Sequence, residues 1–203
     1  MKNFTKIMVL FVSVFLVASQ SVFAATATSG PVNISASVDG TLTLSVALKK
    51  NNSVGATIPS MDFGQLIDIG TGTLRSSAAG STLTGNVTAM ISANSHGLPY
   101  AITQTGTTLS NGATTLPSGA CTVVPVYASA DNGGAALVGT LGTKGPWAVS
   151  GKTLYTSDAA GSVRTIQAIY SVTDDPASGA TTGVPLSQAG GTYSGTVTFT
   201  VTA

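Results

Sequence analysis

Polar and apolar residues alternate strictly in two segments of the chain, residues 32–38 and residues 196–202. The apolar members of the first segment are Val32, Ile34, Ala36 and Val38. Those of the second are Val197, Phe199 and Val201, with threonines between them. Successive side chains of a strand point to opposite faces of a sheet, so each segment predicts a half-buried β-strand.

Further strands are predicted between these two segments. The runs that predict them are residues 41–48, 87–93, 100–103, 120–128 and 163–172. Turn-forming residues separate them, as in Asp39-Gly40 and Asp131-Asn132-Gly133-Gly134. Pro125 interrupts the fourth run and predicts a bulge or an edge position. The chain is therefore expected to be all-β, with roughly seven to nine strands in the pattern of an immunoglobulin-like β-sandwich.

The first 24 residues are typical of an export signal. Lys2 and Lys6 precede an apolar stretch, residues 7–18, that is too short to span a bilayer. We expect cleavage after Ala24, although residues 25–27 offer a second site and a retained signal anchor is the alternative. The predicted organisation is a signal peptide (1–24), an N-terminal extension (25–38) and one β-domain (39–203).

Charged residues are few and balanced in sign. The 203 residues include 8 Lys and Arg and 7 Asp and Glu, and no residue is Glu. This composition argues against nucleic acid or an anionic membrane surface as a partner. It also leaves little electrostatic repulsion between copies of the chain, which suits a protein that assembles with itself.

No group of residues predicts catalysis or metal binding. His96, the single histidine, lies in a turn-like Ser95-His96-Gly97 segment, where a solvated side chain is the usual outcome. One histidine and one cysteine do not make a zinc site by themselves. Asp174-Asp175 precedes Pro176, as in a turn, and the alternating acidic residues of a calcium loop are absent. We expect no enzyme activity, no cofactor and no metal.

Four further side chains leave alternatives open. Cys121 is the single cysteine, and it either packs in the core or forms a bond between chains. Trp147 is either a packed anchor or a platform for a ligand. Tyr100 and Tyr155, if exposed near it, would favour a protein that binds carbohydrate or another surface.

Three motifs carry a resemblance to a known family. They are residues 32–39, Asp62-Phe63-Gly64, and residues 191–201, which begin with Gly-Thr-Tyr-Ser and continue into the last alternating segment. On these motifs the chain resembles bacterial chaperone–usher pilus subunits. The most similar groups are the alpha-type colonisation-factor pilins and the related spore-coat-U-like proteins.

The resemblance implies an incomplete immunoglobulin-like sandwich that a donor strand from a neighbouring subunit completes. Val32, Ile34, Ala36 and Val38 would form the donor strand. Val197, Phe199 and Val201 would line the acceptor groove. Implied partners are identical subunits in a filament, a periplasmic chaperone, an outer-membrane usher, and a host or environmental surface as ligand.

The expected function is therefore a structural subunit of a fimbria, exported through the periplasm to the cell surface and serving adhesion or biofilm. The alternative is a self-contained secreted or surface-attached β-sandwich, either a coat protein or a carbohydrate-binding adhesin. In that case residues 32–38 would be the first strand of a complete domain.

Overall fold

A computed structural model of the protein describes residues 42–51, 54–68, 70–76, 87–128 and 138–203. All of them belong to one unit of the fold, Asp39–Ala203. The strands of these residues are β1 Thr43–Lys50, β2 Leu66–Asp68, β3 Thr73–Ser76, β4 Val87–Asn94, β5 Ala101–Gly106, β6 Cys121–Tyr127, β7 Thr140–Leu141, β8 Gly145–Pro146, β9 Lys152–Thr156, β10 Arg164–Val172, β11 Val184–Pro185 and β12 Val197–Thr202. Two short 3₁₀ helices, Ser118–Ala120 and Pro176–Ser178, accompany them.

Two antiparallel sheets form the body of the fold. The first contains five strands in the spatial order β1-β4-β10-β6-β8. The second contains four, in the order β12-β5-β9-β7. A smaller third sheet has the order β11-β3-β2. The prediction of an all-β fold is confirmed, because the described residues form open antiparallel sheets and almost no helix.

The two larger sheets contribute to one hydrophobic core. Ile91 and Tyr170 of the first sheet and Ile102 and Tyr155 of the second are fully buried members of the same cluster. Buried apolar surface of this kind is the main source of stability for a domain that has no disulfide. Cys121 is a free thiol inside this cluster.

Strand β1 begins and ends two residues later than the predicted run 41–48. Lys49 and Lys50, beyond the predicted run, extend the ladder with β4 as far as Thr88 and Val87. Lysine is tolerated here because β1 is an edge strand, where a long charged side chain reaches solvent.

Strand β6 shows which of the two expectations for Pro125 applies. Its ladder with β10 runs through Pro125 without a register shift, so no bulge forms there. On the other side, the described residues pair with β6 only at Thr122 and Val123, through β8. Pro125 therefore lies where the strand is locally an edge.

Part of the predicted pattern lies outside the described residues, namely residues 1–41 and the turn at residues 131–134. The signal peptide, the N-terminal extension and the four donor residues Val32, Ile34, Ala36 and Val38 fall in the first of these ranges. Among the described residues, no helix is long and apolar enough to cross a membrane.

Candidate functional site

Strands β1 and β12 are edge strands that approach each other on one side of the molecule. β12 pairs with β5 along its whole length, and no described residue pairs with its other edge. β1 pairs with β4 along its whole length. Its other edge is bonded, within the described part of the chain, only near Lys50, where residues 56–58 run alongside it. Two edges whose backbone groups have few or no ladder partners among the described residues thus border one gap.

The face of β12 that turns to the core is apolar but only partly covered. Val197, Phe199 and Val201 pack against the core cluster and remain partly accessible to solvent. The threonines between them are exposed. The three residues predicted to line an acceptor groove therefore lie on one edge strand, on its core-facing side.

Strand β1 shows the same incomplete cover. Val46 pairs with Ile91, and Ile91 pairs with Ile166, so the three side chains form one row across the first sheet. Ile91 and Ile166 are fully buried, whereas Val46 is 39% exposed. The side chains of this row are therefore buried in the middle of the sheet and partly exposed at its edge. This is the result expected if a layer of side chains is missing above β1.

A cavity of about 1080 Å³ opens between the two edge strands. Residues 46–48 of β1 and the first half of β12 form two of its walls. Residues 59–65, here called the groove strap, and residues 188–196, here called the lead-in loop, form the others. Among the described residues, Asp62 is the one charged residue that lines the cavity, which is therefore nearly neutral.

Aromatic rings form the floor and one wall of this cavity. Phe63 of the groove strap stacks on Trp147 with 5.0 Å between ring centroids. Trp147 contacts Tyr170 at 5.5 Å, and Tyr170 contacts Phe199 of β12 edge to face at 6.3 Å. Such pairs add to the energy of simple burial and prefer defined angles. The rings of Phe63, Trp147 and Phe199 that line the cavity are thus joined in one series through the buried ring of Tyr170.

A polar side chain lies beneath these rings. Gln104 of β5 is fully buried, and its Nε2 donates to the Trp147 carbonyl at 3.2 Å. Its Oε1 accepts a hydrogen bond from the Tyr170 hydroxyl. Burial raises the pKa of the Tyr170 hydroxyl above its ordinary value, so the group stays protonated and remains a donor. Because its bonds are satisfied, Gln104 fixes the positions of Tyr170 and Trp147.

The groove strap is anchored at both ends and in its middle. Ile58 N, just before it, donates to the Leu48 carbonyl at 3.0 Å, and Leu66, just after it, pairs with Ser76 of β3. In the middle, Gly64 N donates to Asp62 Oδ1 at 2.9 Å, and Gly64 adopts a φ of 65° that glycine accommodates without strain. Ser76 Oγ donates to the Phe63 carbonyl. This turn explains the Asp62-Phe63-Gly64 motif, because it places the Phe63 ring on Trp147.

The lead-in loop is held by the hydroxyl of Tyr193. This hydroxyl donates to the Ala189 carbonyl at 2.6 Å and accepts from Gln188 Nε2 at 2.7 Å. It also lies 2.8 Å from Thr114 Oγ1. Next to it, Ser194 and Ser110 exchange two backbone hydrogen bonds of 2.9 Å. The Gly-Thr-Tyr-Ser motif thus fixes the loop that delivers the chain into β12.

Three aromatic residues that were candidates for a binding surface are buried instead. Trp147, Tyr100 and Tyr155 are 2%, 3% and 0% exposed. Tyr100 and Tyr155 donate to backbone carbonyls of Ser162 and Val138. Of the two interpretations of Trp147, the packed anchor is confirmed.

The remaining polar candidates occupy turns or the core. His96 lies in an exposed turn, where its backbone N donates to Asn94 Oδ1 at 2.9 Å. Asp175 accepts from Ala177 N at 2.8 Å and caps a 3₁₀ helix, so the predicted turn before Pro176 is confirmed. No cluster of three metal-ligating side chains occurs among the described residues.

Cys121 is fully buried and free, so packing in the core is the interpretation that the structure supports. Burial raises the pKa of its thiol to about 12. Because the thiolate is the reactive form, the folded protein holds this cysteine in an unreactive state.

The sequence did not reveal Phe63 and Met61 as groove residues, nor Gln104 as the buried polar residue that holds Trp147 and Tyr170. Asp62-Phe63-Gly64 was visible as a motif, but its contact with Trp147 joins residues far apart in the chain. Gln104 occupies a position of β5 whose side chain points to the core, and a polar residue at such a position was the one sign in the sequence that it has a structural role.

A search of family models, curated proteins and solved structures finds no match to this chain.

Proposed function

We propose that this protein is a structural subunit of an extracellular fimbria, in which copies join head to tail by N-terminal donor-strand exchange. In this proposal the fold is an immunoglobulin-like sandwich that lacks one strand. Residues 32–38 of one copy fill the groove between β1 and β12 of the next. The observation that carries the proposal is the pair of partly covered apolar rows on two edge strands with a cavity between them.

The features of the groove favour an extended polypeptide as occupant. A strand laid against β12 satisfies the free backbone groups of its edge and places alternate side chains into the cavity. The cavity volume of about 1080 Å³ lies just above the roughly 300–1,000 Å³ typical of small-molecule sites. Strand edges that have few or no ladder partners among the described residues, and that border a cavity with their apolar rows, are features that strand addition uses and small-molecule binding does not need.

Residues 32–38 fit this occupant in pattern, length and charge. Their four apolar side chains alternate with Asn33, Ser35 and Ser37, and none is charged. A seven-residue strand matches the six residues of β12 closely, at about 3.3 Å per residue. A neutral segment also suits a nearly neutral cavity, since no buried charge would need a partner.

The energetic gain comes from several modest contributions. Each larger apolar side chain that becomes fully buried contributes about 1.5–3 kcal/mol. Ordering the donor segment and bringing two molecules together offset part of this gain. The backbone ladder and the cover over Val46 and Phe199 add to it. A contact of this kind is expected to be long-lived once it has formed.

The assembly has a direction because donor and acceptor are different parts of the chain. A contact between two different surfaces is heterologous, and it produces an open filament unless the rotation closes a ring. Before assembly the open groove would invite aggregation, because edge strands and exposed apolar surface pair with other chains. We assign its temporary cover to a periplasmic chaperone and its delivery to an outer-membrane usher, as the family resemblance implies.

A matched pair of substitutions tests the donor assignment. Ile34→Asp places a charge on the apolar face of the donor segment and is expected to abolish polymers. Ser35→Asp adds the same charge on the opposite face and is expected to leave assembly intact. The measurement is the amount of polymer in material sheared from the cell surface, with the exported subunit quantified in parallel. Normal polymer from Ile34→Asp would show that residues 32–38 are not the donor.

A further inference from the structure

The two ends of the groove differ in width, and this difference bears on how far an inserted strand can slide along β12. The cavity lies where β1 ends and β12 begins, since residues 46–48, Val197 and Phe199 line it. Leu44 and Val201, toward the opposite end of the gap, pack against the core and do not line the cavity. An inserted strand that moves along β12 toward Val197 therefore enters a wider space.

The groove strap closes this wider space. Before the strap, residues 56–58 already occupy the free edge of β1 beside Leu48 and Lys50. Within the strap, Met61 and Phe63 pack against the core cluster, and Phe63 stacks on Trp147. Trp147 is 2% exposed, so the ring of Phe63 lies against a side chain that the core already fixes.

The anchors of the strap make it a fixed wall. Hydrogen bonds hold the residues on both sides of it, the Asp62 side chain closes its turn, and Ser76 holds the Phe63 carbonyl. A segment held in this way does not need to move before a strand is inserted. It limits the position that the inserted strand can reach.

We propose that the groove strap, through Phe63, is the stop that sets the register of the inserted strand. This inference rests on the proposed strand exchange between copies. Side chains of a strand repeat with a period of two, so a shift by one residue would turn the polar face of residues 32–38 into the cavity. A shift by two residues preserves the apolar face, and a neutral, repetitive segment does not prevent it. The stop distinguishes between registers that the alternation alone leaves equivalent.

Cross-linking between full-length chains reads this register directly. One chain carries Ser35→Cys in the donor segment. The other carries one cysteine on the exposed face of β12 or just before it, at Thr196, Thr198, Thr200 or Thr202. The two chains are expressed together, and the disulfide-linked product is quantified for each position. Native Cys121 does not compete because it is buried and its thiol is unreactive in the folded chain.

One position is expected to dominate when the acceptor has Phe63. In an acceptor with Phe63→Ala, the dominant position is expected to move two residues toward Thr196, because the strand enters the space that the ring has left. Phe63→Leu keeps a bulky side chain and is expected to keep the original register. If Phe63→Ala does not assemble, Phe63→Val opens a smaller space and provides the same comparison.

The outcomes separate this inference from the proposed function. An unchanged dominant position in Phe63→Ala, whether or not the yield rises, overturns the register stop and leaves strand exchange intact. No cross-link between copies at any of the four positions, with Phe63 present, overturns strand exchange itself. A shift by two residues in Phe63→Ala but not in Phe63→Leu supports both the register stop and strand exchange.

Discussion

On one side of the molecule the two larger sheets end in β1 and β12, of eight and six residues, whereas on the other side they end in β8 and β7, of two residues each. The short side carries Pro146 within its edge strand, and proline cannot donate to a further ladder. Very short edge strands and proline are common ways in which proteins prevent edge-to-edge pairing. The long side has neither protection.

In the proposed function, this difference assigns strand insertion to the open side. If the exposed edges were incidental, both sides would be expected to show similar protection. Instead the long edges carry apolar rows with partial cover, and a cavity lies between them. Protection on one side and an open groove on the other are what a subunit needs to accept a single strand at a single place.

The largest effect is expected from a charge on the open side. Val46 is 39% exposed on β1, so Val46→Asp leaves the unassembled subunit folded, since water still reaches the carboxylate. An inserted strand would bury that carboxylate without a partner, so polymers are expected to disappear. The measurement is the polymer fraction on gel filtration.

Ser45→Asp is the matched control, since Ser45 is exposed and neighbours Val46 on the opposite face of β1. It is expected to assemble as the unaltered chain does. Equal loss of polymer in both variants would mean that added charge, rather than the groove, prevents assembly.

The next effect is a difference in thiol reactivity between the two regions. In a Val46→Cys variant the introduced thiol is expected to react with a thiol reagent in the free subunit and to be protected in the polymer. Cys121 is expected to react in neither state before unfolding, because burial raises its pKa to about 12. Labelling followed by mass spectrometry of the two peptides measures both in one sample. If the introduced thiol still reacted in the polymer, the groove would have to stay open after assembly.

A smaller effect is expected from the polar group under the groove. Gln104→Ala removes the partner of the buried Tyr170 hydroxyl, at a cost of about 1–3 kcal/mol in the free energy of unfolding, whereas the Trp147 carbonyl keeps its bond from Val149 N at 2.8 Å. Chemical denaturation of the free subunit measures it. The double variant Gln104→Leu with Tyr170→Phe removes donor and acceptor together and is expected to recover most of the loss. No recovery would show that packing, and not the hydrogen bonds, accounts for the effect.

The smallest effect is expected on the protected side. Pro146→Thr restores a backbone donor in β8, but the strand is two residues long and offers little edge for pairing. We expect a change within about 0.5 kcal/mol in the free energy of unfolding and no new association. Gel filtration over a concentration series measures the association. Dimers formed through this side would show that proline, rather than strand length, provides the protection.

Much of the fold could be predicted from alternation alone, and the exceptions have local causes. Strands β4, β10 and β12 follow the predicted runs closely because their side chains keep a regular period. Strand β9 was missed because a register shift beside Ile102 and Thr103 buries both Leu154 and Tyr155, which breaks the period of two. Strands of two residues, such as β7 and β8, are too short to leave a pattern.

The candidate site could be predicted only in part. The row Val197, Phe199 and Val201 was visible because it belongs to one alternating segment. The opposite wall, formed by β1, could not be predicted, because the gap between β1 and β12 depends on the order of strands in two sheets. The contact of Phe63 with Trp147 likewise joins distant segments, and no local pattern indicates it.

The most direct test of strand exchange is electrophoresis in detergent of material sheared from the cell surface, with and without boiling. The unaltered chain is compared with a variant that lacks residues 25–38. We predict a ladder of multiples from the unaltered chain that collapses to monomer on boiling, and no ladder from the deletion. A single monomer band from both chains, with the deletion less stable, would contradict the proposal and assign residues 32–38 to a self-contained domain.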